Sequence, residues 1–242
     1  MSQFPQQQQR ANRWDLGYQT AESPVFNFFN VVYAWMAVGL AVTAVVGYLV
    51  SSSPVLLQTM FGFGVAGVLM LALGLFALGW YVQANIGRLS TGVATSLFLL
   101  YAAIMGAMIS YIFLIYSPTT LISAFALTGG VFAVMSVYGF VTKRDLTRIG
   151  SIAVMAVLGL FVASLINIFL GSAPLGWLIT YAVVVLFVII TAYETQKLKQ
   201  IAMQLEYQPQ LAARVAIVGS LILYISFMNL FLSILRILGN RR

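Results

Sequence analysis

The sequence predicts an all-α integral membrane protein, a bundle of seven transmembrane helices with the seventh helix at its centre. Three observations predict this fold class. Of the 242 residues, 62% are hydrophobic and 7% are charged, whereas an ordinary soluble domain carries about 25% charged residues. Seven long apolar runs follow one another with short gaps between them. Polar residues line one side of the last run, which indicates a helix that other helices enclose or that lines a wet cavity.

Each apolar run is long enough to cross a bilayer. About 20 apolar residues span the roughly 30 Å hydrocarbon layer, and a run inside lipid satisfies its backbone as a helix. A β-barrel would show short alternating strands instead. The short gaps make sequential neighbours antiparallel. In chain order, the predicted spans are 27–50, 57–81, 91–116, 119–142, 149–171, 175–196 and 213–238.

The segment before the first span is polar and rich in glutamine, from Gln6 to Gln9. It lacks the apolar core of a cleavable signal peptide. We therefore expect a disordered cytoplasmic tail over 1–25 and a single seven-helix transmembrane domain over 26–242.

Basic residues occupy alternate gaps. The tail and the second, fourth and sixth gaps carry nine lysines and arginines, whereas the first, third and fifth gaps carry none. The positive-inside rule then places the N-terminus and the basic loops in the cytoplasm. The C-terminus conflicts with this rule, because seven crossings put Arg236, Arg241 and Arg242 outside. Either packing holds the last helix across the membrane, which we favour, or that helix crosses incompletely.

The composition also excludes several kinds of site. The chain has no cysteine and no histidine, which rules out disulfides, Cys/His zinc sites and Ser-His or Cys-His catalysis. Phosphate-loop and dinucleotide motifs are absent from the sequence. We expect no enzymatic activity, no cofactor, no firmly assignable metal site and no nucleic-acid partner, since membrane orientation explains the basic residues.

Glu194 is the only acidic residue inside a predicted span, and it lies near the cytoplasmic end of the sixth. A charged side chain costs about 2.5–3.5 kcal/mol at the bilayer centre and less near an interface. Two interpretations stay open. Glu194 pairs with Lys197, one turn further on, or it faces the interior as an ion ligand or a proton-sensitive gate. We favour the second.

Polar residues at steps of three or four predict one continuous face on the seventh span. They form a polar path for ions or, alternatively, bond to neighbouring backbones. Asn167 in the fifth span also needs a partner and is expected in the bundle interior. Glycines such as Gly129 and Gly159 are interpreted as helix-packing positions. The residues of the polar face are Ser226, Asn229, Ser233, Arg236 and Asn240.

The fourth gap forms a charged cytoplasmic loop with Lys143, Arg144 and Asp145, and Lys197 opens the sixth gap. Asp145 directly precedes the fifth span and is expected to cap that helix. A partner-binding or gating role is the alternative.

Four stretches, taken in order, resemble the Bax inhibitor-1 family, and together they cover nearly the whole membrane region. The first is LTGGVFAVMSVYGFVTKRDL over 127–146. The second begins at Gly150 and ends with Asn167-Ile-Phe. The others are TAYETQKLK over 191–199 and YISFMNLFLSILR over 224–236.

The resemblance implies a seven-helix bundle with the last helix near its centre. Members of this family are associated with a pH-sensitive calcium leak, and eukaryotic members with protection from cell death. In the bacterial branch, some members bind and modulate a membrane-anchored ATP-dependent protease. The resemblance therefore implies calcium or protons, and a membrane protease, as partners besides the lipid bilayer.

Bacterial members that leak calcium resemble one another in a pair of aspartates, one on each of the last two helices. The matching positions here are Glu194 and Ser226. The second carboxylate is missing, so the sharp pH response of two coupled acids is not implied for this chain.

Two functions follow as expectations. The first is a membrane ion leak, for calcium with pH sensitivity, along the sixth and seventh spans, with Glu194 as ligand or gate and Ser226 and Asn229 as polar lining. Calcium usually takes six to eight oxygens, so backbone carbonyls and water would supply most of them. The alternative is a regulatory protein that modulates a membrane protease or another stress-response partner, a role that suits the polar tail.

Overall fold

The computed structural model describes residues 24–85, 88–205 and 207–239, and the regular structure in these ranges is helical. Seven segments in these ranges are long and apolar enough to cross a membrane, which confirms the predicted fold class. The helices are α1 (Pro24–Ser51), α2 (Pro54–Phe61), α3 (Gly64–Ala84), α4 (Thr91–Ile109), α5 (Ile112–Ile115), α6 (Pro118–Val141), α7 (Thr147–Leu170), α8 (Ala173–Gln204) and α9 (Pro209–Leu238).

Two of the predicted spans are interrupted. The run predicted over 57–81 divides into α2 and α3, and Gly64 at the join has a φ of 61°, a left-handed conformation that glycine adopts without a steric penalty. The run predicted over 91–116 divides into α4 and the short α5 at Ser110 and Tyr111. Hydropathy alone did not predict these breaks, because one or two weakly polar residues at each join do not interrupt a long apolar run.

The other boundaries shift by a few residues, except in α8. α1 begins at Pro24, so the boundary of the transmembrane domain lies slightly before 26, and residues 1–23 of the predicted tail lie outside the described residues. α8 continues to Gln204 instead of ending at 196. Lys197 therefore lies on a helix and not in a loop.

α9 is the central helix, as predicted. In an apolar stretch of 18 residues of α9, 78% of the residues are buried, against 6% in a stretch of the same length in α7. α9 packs against α1, α3, α4, α6 and α8, whereas α7 packs mainly against α8. The structure therefore encloses the last helix on most sides and leaves α7 on the periphery, where most of its surface meets lipid.

α9 also extends along the whole bundle. In its first half, Gly219 lies against Leu198 in the last two turns of α8. At its far end, a Cβ built on Gly239 would lie 2.9 Å from Cε1 of Tyr116, just before α6. The ends of α9 thus meet opposite ends of the bundle, which agrees with a complete crossing.

Candidate functional site in the polar interior

Glu194 is 9% exposed, and its Oε2 is buried without a hydrogen-bond partner. Lys197 forms no salt bridge with it, although the charge of the lysine acts on the carboxylate. The lysine is exposed, and its Nζ lies 5.7 Å from the centre of the Tyr193 ring. The Glu194 side chain is therefore buried, and its role as an ion ligand or gate stays a prediction.

The packing of neighbouring helices against α8 explains why Glu194 is buried. Gly139 of α6 lies so close to α8 that a Cβ there would clash with the carbonyl oxygen of Ala192. On another side, Gly150 of α7 lies directly against the ring of Tyr193. Since α9 also packs on α8, this part of α8 is enclosed by three helices.

A cluster of hydroxyl groups lies next to Glu194 in the chain. Thr195 donates to the carbonyl of Thr191 at 2.8 Å and lies 3.4 Å from Oγ of Ser136 on α6. The Tyr33 hydroxyl of α1 interacts with both Ser136 and Thr195. Side chains of α1, α6 and α8 thus form a polar contact inside the bundle. The sequence analysis missed this cluster, because single hydroxyl residues occur throughout the apolar runs.

The cytoplasmic part of α8 is attached to the loop between α6 and α7. Gln196 donates through Nε2 to the carbonyl of Arg144 at 2.7 Å, and its Oε1 accepts from the Leu146 amide at 2.9 Å. Nζ of Lys199 donates to the Phe140 carbonyl at 2.7 Å. The loop is therefore held through backbone groups, and the Lys143 and Arg144 side chains are exposed.

Asp145 bonds to the first turn of α7. Its Oδ1 accepts from the Thr147 amide at 2.9 Å, and the hydrogen bonds from Thr147 lower the pKa of this exposed carboxyl below its ordinary value. Leu146 occupies the cap position itself. Asp145 thus satisfies an amide at the start of α7 from the residue before the cap position.

The predicted polar face of α9 changes character along the helix. Ser226 is 2% exposed. Asn229 is half-buried, and its Nδ2 donates to the Ile225 carbonyl of its own helix at 2.8 Å. Ser233 is half-buried and Arg236 is exposed. The last turn of α9 emerges at the end of the bundle, so the expectation that Arg236 supports the interior is wrong. Asn240 lies outside the described residues.

Asn167 also lies at that end of the bundle. It is half-buried in the last turn of α7, and its Oδ1 accepts from the Ser172 amide at 3.2 Å. The structure therefore separates the predicted residues into two groups. Glu194 and Ser226 lie in the interior on two neighbouring helices, whereas Asn167 and Arg236 meet at the end opposite the basic loops.

The main cavities lie elsewhere in the bundle. An apolar cavity of about 230 Å³ lies between α1, α4, α5, α6 and α9, and Thr43 is its polar lining residue. Another of about 600 Å³, between α3, α4, α7 and α9, is lined partly by Gln83 and Tyr101. Glu194 lines neither of them. Among the described residues, no three acidic residues come together as a metal site. Glu194 is thus the one buried carboxylate among the described residues.

Comparison with known proteins identifies relatives along nearly the whole chain. The family model described as "Inhibitor of apoptosis-promoting Bax1" matches residues 25–242. The chain is 43% identical over 212 residues to "Inner membrane protein YbhL" of Escherichia coli strain K12, with 87% of this chain and 90% of the relative covered. An uncharacterized protein of Borreliella burgdorferi is 37% identical, with 94% and 98% covered. One from Deinococcus radiodurans is 41% identical, with 90% and 92% covered.

Proposed function

This chain belongs to the Bax inhibitor-1 family of membrane proteins, and we propose that it conducts a regulated ion leak through its bundle, with Glu194 as the gating group. The observation that carries the proposal is the buried Oε2 of Glu194, which has no hydrogen-bond partner. An ionised carboxylate in such a place loses its hydration without compensation. A proton, a cation or a rearrangement of the helices relieves that cost. Glu194 is thus suited to couple ion occupancy to opening.

The pathway that we propose follows α8 and α9. Ser226 is buried on α9, and the hydroxyl cluster of Thr195, Ser136 and Tyr33 lies beside Glu194 in the chain. Hydroxyl groups can donate to a carboxylate or accept from a hydrated cation. Glu194 lines neither of the two cavities described above, and we therefore propose that conduction requires α8 or α9 to move.

A single carboxylate favours proton-sensitive gating over a preformed calcium site. Calcium takes six to eight oxygen ligands, and Glu194 supplies two at most. Two coupled acids would titrate in separate steps over a wide pH range, whereas a lone acid titrates in one step. We therefore propose a leak whose pH dependence follows the single titration of Glu194, in which calcium passes as a partly hydrated ion.

We further propose the bacterial inner membrane as the location, with the N-terminus in the cytoplasm. The E. coli relative is named an inner membrane protein, and the basic loops lie at the end of the bundle that holds Gln196 and Lys199. This orientation places Glu194 near the cytoplasmic end of the pathway.

The test is ion flux in proteoliposomes that hold purified protein, followed with calcium-sensitive and pH-sensitive dyes at pH 6 and pH 8. We expect wild-type flux, and a fall of about tenfold or more in Glu194→Gln, equivalent to ~1.4 kcal/mol in the barrier. The pH dependence should also disappear in this variant. The matched control is Asp145→Asn, the same carboxylate-to-amide change at an exposed position where asparagine caps a helix equally well.

Ser226→Asp distinguishes an effect on gating from a general loss of folded protein. A second acid on α9 should broaden the pH response into two steps without abolishing flux, because two neighbouring acids resist simultaneous ionisation. Equal flux in wild type and Glu194→Gln would remove Glu194 from the pathway. Absence of flux in every properly folded variant would contradict the leak itself and leave the protease-modulating role as the working hypothesis.

A further inference from the structure

Two nitrogen donors converge where α7, α8 and α9 meet at the end opposite the basic loops. A Cβ built on Gly176, in the first turn of α8, would lie 2.9 Å from Nη2 of Arg236 and 3.3 Å from Nδ2 of Asn167. The carbonyl oxygen of the same Asn167 side chain already accepts from the Ser172 amide, which orients the amide nitrogen toward Gly176. A guanidinium and an amide from different helices therefore flank the same point.

Trp177 borders this pair of donors. The Cζ of Arg236 lies 5.7 Å from the centre of the Trp177 ring, and the ring of Tyr181 stacks on Trp177 with centres 5.9 Å apart. The contact with Trp177 attracts the guanidinium but does not neutralise the positive charge of Arg236. Tryptophan and tyrosine concentrate at the headgroup level of membranes. The donors thus lie at the depth where lipid phosphates are found.

The described part of the chain offers Arg236 no acidic side chain at this end. The acidic residues in the described ranges are Asp145, in the loop between α6 and α7, and Glu194, in the cytoplasmic half of α8. The loops at 52–53, 116–117 and 171–172 contain neither aspartate nor glutamate. A positive charge on the outer side also runs against the positive-inside rule. An external anion at this point accounts for both observations.

We propose that Arg236 and Asn167 form a binding site for the phosphate group of a phospholipid in the outer leaflet. The guanidinium presents parallel N–H donors that match phosphate oxygens, and the Asn167 amide supplies a further donor from α7. The absence of a side chain at Gly176 lets both donors approach the start of α8 closely. The bound phosphate joins the ends of α7, α8 and α9. It also neutralises Arg236, which a complete crossing of α9 places on the outer side.

This site is independent of the proposed ion pathway. It lies at the end of α9 away from Glu194, and its occupancy can be measured without any flux. Its loss would leave the Glu194 hypothesis intact, and failure of the leak hypothesis would leave this site intact.

The experiment is a lipid titration of purified, detergent-solubilised protein, read by native mass spectrometry. The probes are phosphatidylglycerol and, as a ligand with the same acyl chains and no phosphate, diacylglycerol. We expect wild type to bind phosphatidylglycerol in preference to diacylglycerol. Arg236→Gln should weaken phosphatidylglycerol binding by about tenfold, equivalent to ~1.4 kcal/mol.

Arg148→Gln is the matched control, since Arg148 is an exposed arginine at the other end of the bundle. It should change the affinity by less than about twofold, because its contacts with lipid are general ones. Gly176→Ala provides a test that removes no charge. The added methyl group displaces the two donors, and binding should weaken while the protein stays folded.

Three outcomes would overturn the proposal. Equal losses in Arg236→Gln and Arg148→Gln would indicate general attraction between arginine and lipid. Equal binding of phosphatidylglycerol and diacylglycerol would exclude recognition of the phosphate. Displacement of the lipid by millimolar inorganic phosphate, with a phosphate adduct retained, would identify a site for free phosphate instead of lipid.

Discussion

Buried hydroxyl groups in this bundle differ in whether they have a partner. The Thr43 hydroxyl of α1 donates to the carbonyls of Gly39 and Ala102, at 2.9 and 3.0 Å. It also forms a hydrogen bond with the Tyr224 hydroxyl of α9. Ser110, at the join of α4 and α5, is fully buried, and its Oγ has no partner among the described residues. Similar side chains thus have opposite effects on stability.

We predict that Ser110→Ala leaves the unfolding temperature in detergent unchanged or raises it. An unsatisfied buried hydroxyl contributes a desolvation cost and no bond, so its removal does not destabilise. Thr43→Val should cost about 1–3 kcal/mol, because it leaves the fully buried Tyr224 hydroxyl without this partner. Thermal unfolding of the two variants beside wild type makes the comparison. A loss in Ser110→Ala as large as that in Thr43→Val would show that Ser110 has a partner in the protein.

Among the helices, α6 shows how strongly packing depends on the position of a glycine. Gly139 lies against the backbone of Ala192 on α8, at a distance that leaves no room for a Cβ. Gly129, less than three turns earlier, has no atom within 4 Å of the position of a Cβ. Backbone atoms cannot move aside as a flexible side chain can, so only Gly139 sets the distance between α6 and α8.

Gly139→Ala is predicted to destabilise the bundle by about 1–3 kcal/mol, the usual cost of overpacking. It should also shift α8 and thereby alter flux through the proposed Glu194 gate. Gly129→Ala, the control on the same helix, should have no effect or a slightly stabilising one, because alanine favours the helix. Thermal unfolding measures both. Equal tolerance of the two substitutions would mean that α6 and α8 lie further apart than the structure has them.

For the whole molecule, the central position of α9 bears on the conflict in the charge pattern. α9 contacts five other helices, so we expect packing to hold it across the membrane although it carries Arg236 in its last turn. Terminal charges bias orientation by only a few kcal/mol in total. The packing of a nearly fully buried helix outweighs this bias.

Labelling of single cysteines tests this topology, since the natural chain has no cysteine. We predict that a membrane-impermeant maleimide added to spheroplasts labels Thr119→Cys and Leu238→Cys, both at exposed positions on the outer side. Lys143→Cys, in the loop between α6 and α7, should react only after the membrane is permeabilised. Protection of Leu238→Cys in intact spheroplasts would show that α9 does not cross completely.

The sequence by itself determined the number of spans and their approximate limits, and it predicts the orientation of the chain and the burial of Glu194. These properties follow from the chain's interaction with the bilayer: the length of each apolar run, the side on which basic residues concentrate, and the cost of a lone acid within a run. The central position of the last helix was also predictable, because a face of polar residues avoids lipid.

Only the tertiary structure decided which face of each helix is buried. In a soluble helix, apolar residues mark the packed side, but here every side is apolar and lipid is as hydrophobic as the interior. Gly129 and Gly159 therefore look like packing positions in the sequence although both face open space. Gly139, in contrast, packs directly against the backbone of α8. The separation of Glu194 from Lys197, and the meeting of Arg236 with Asn167, depend on contacts between helices that no single run of sequence contains.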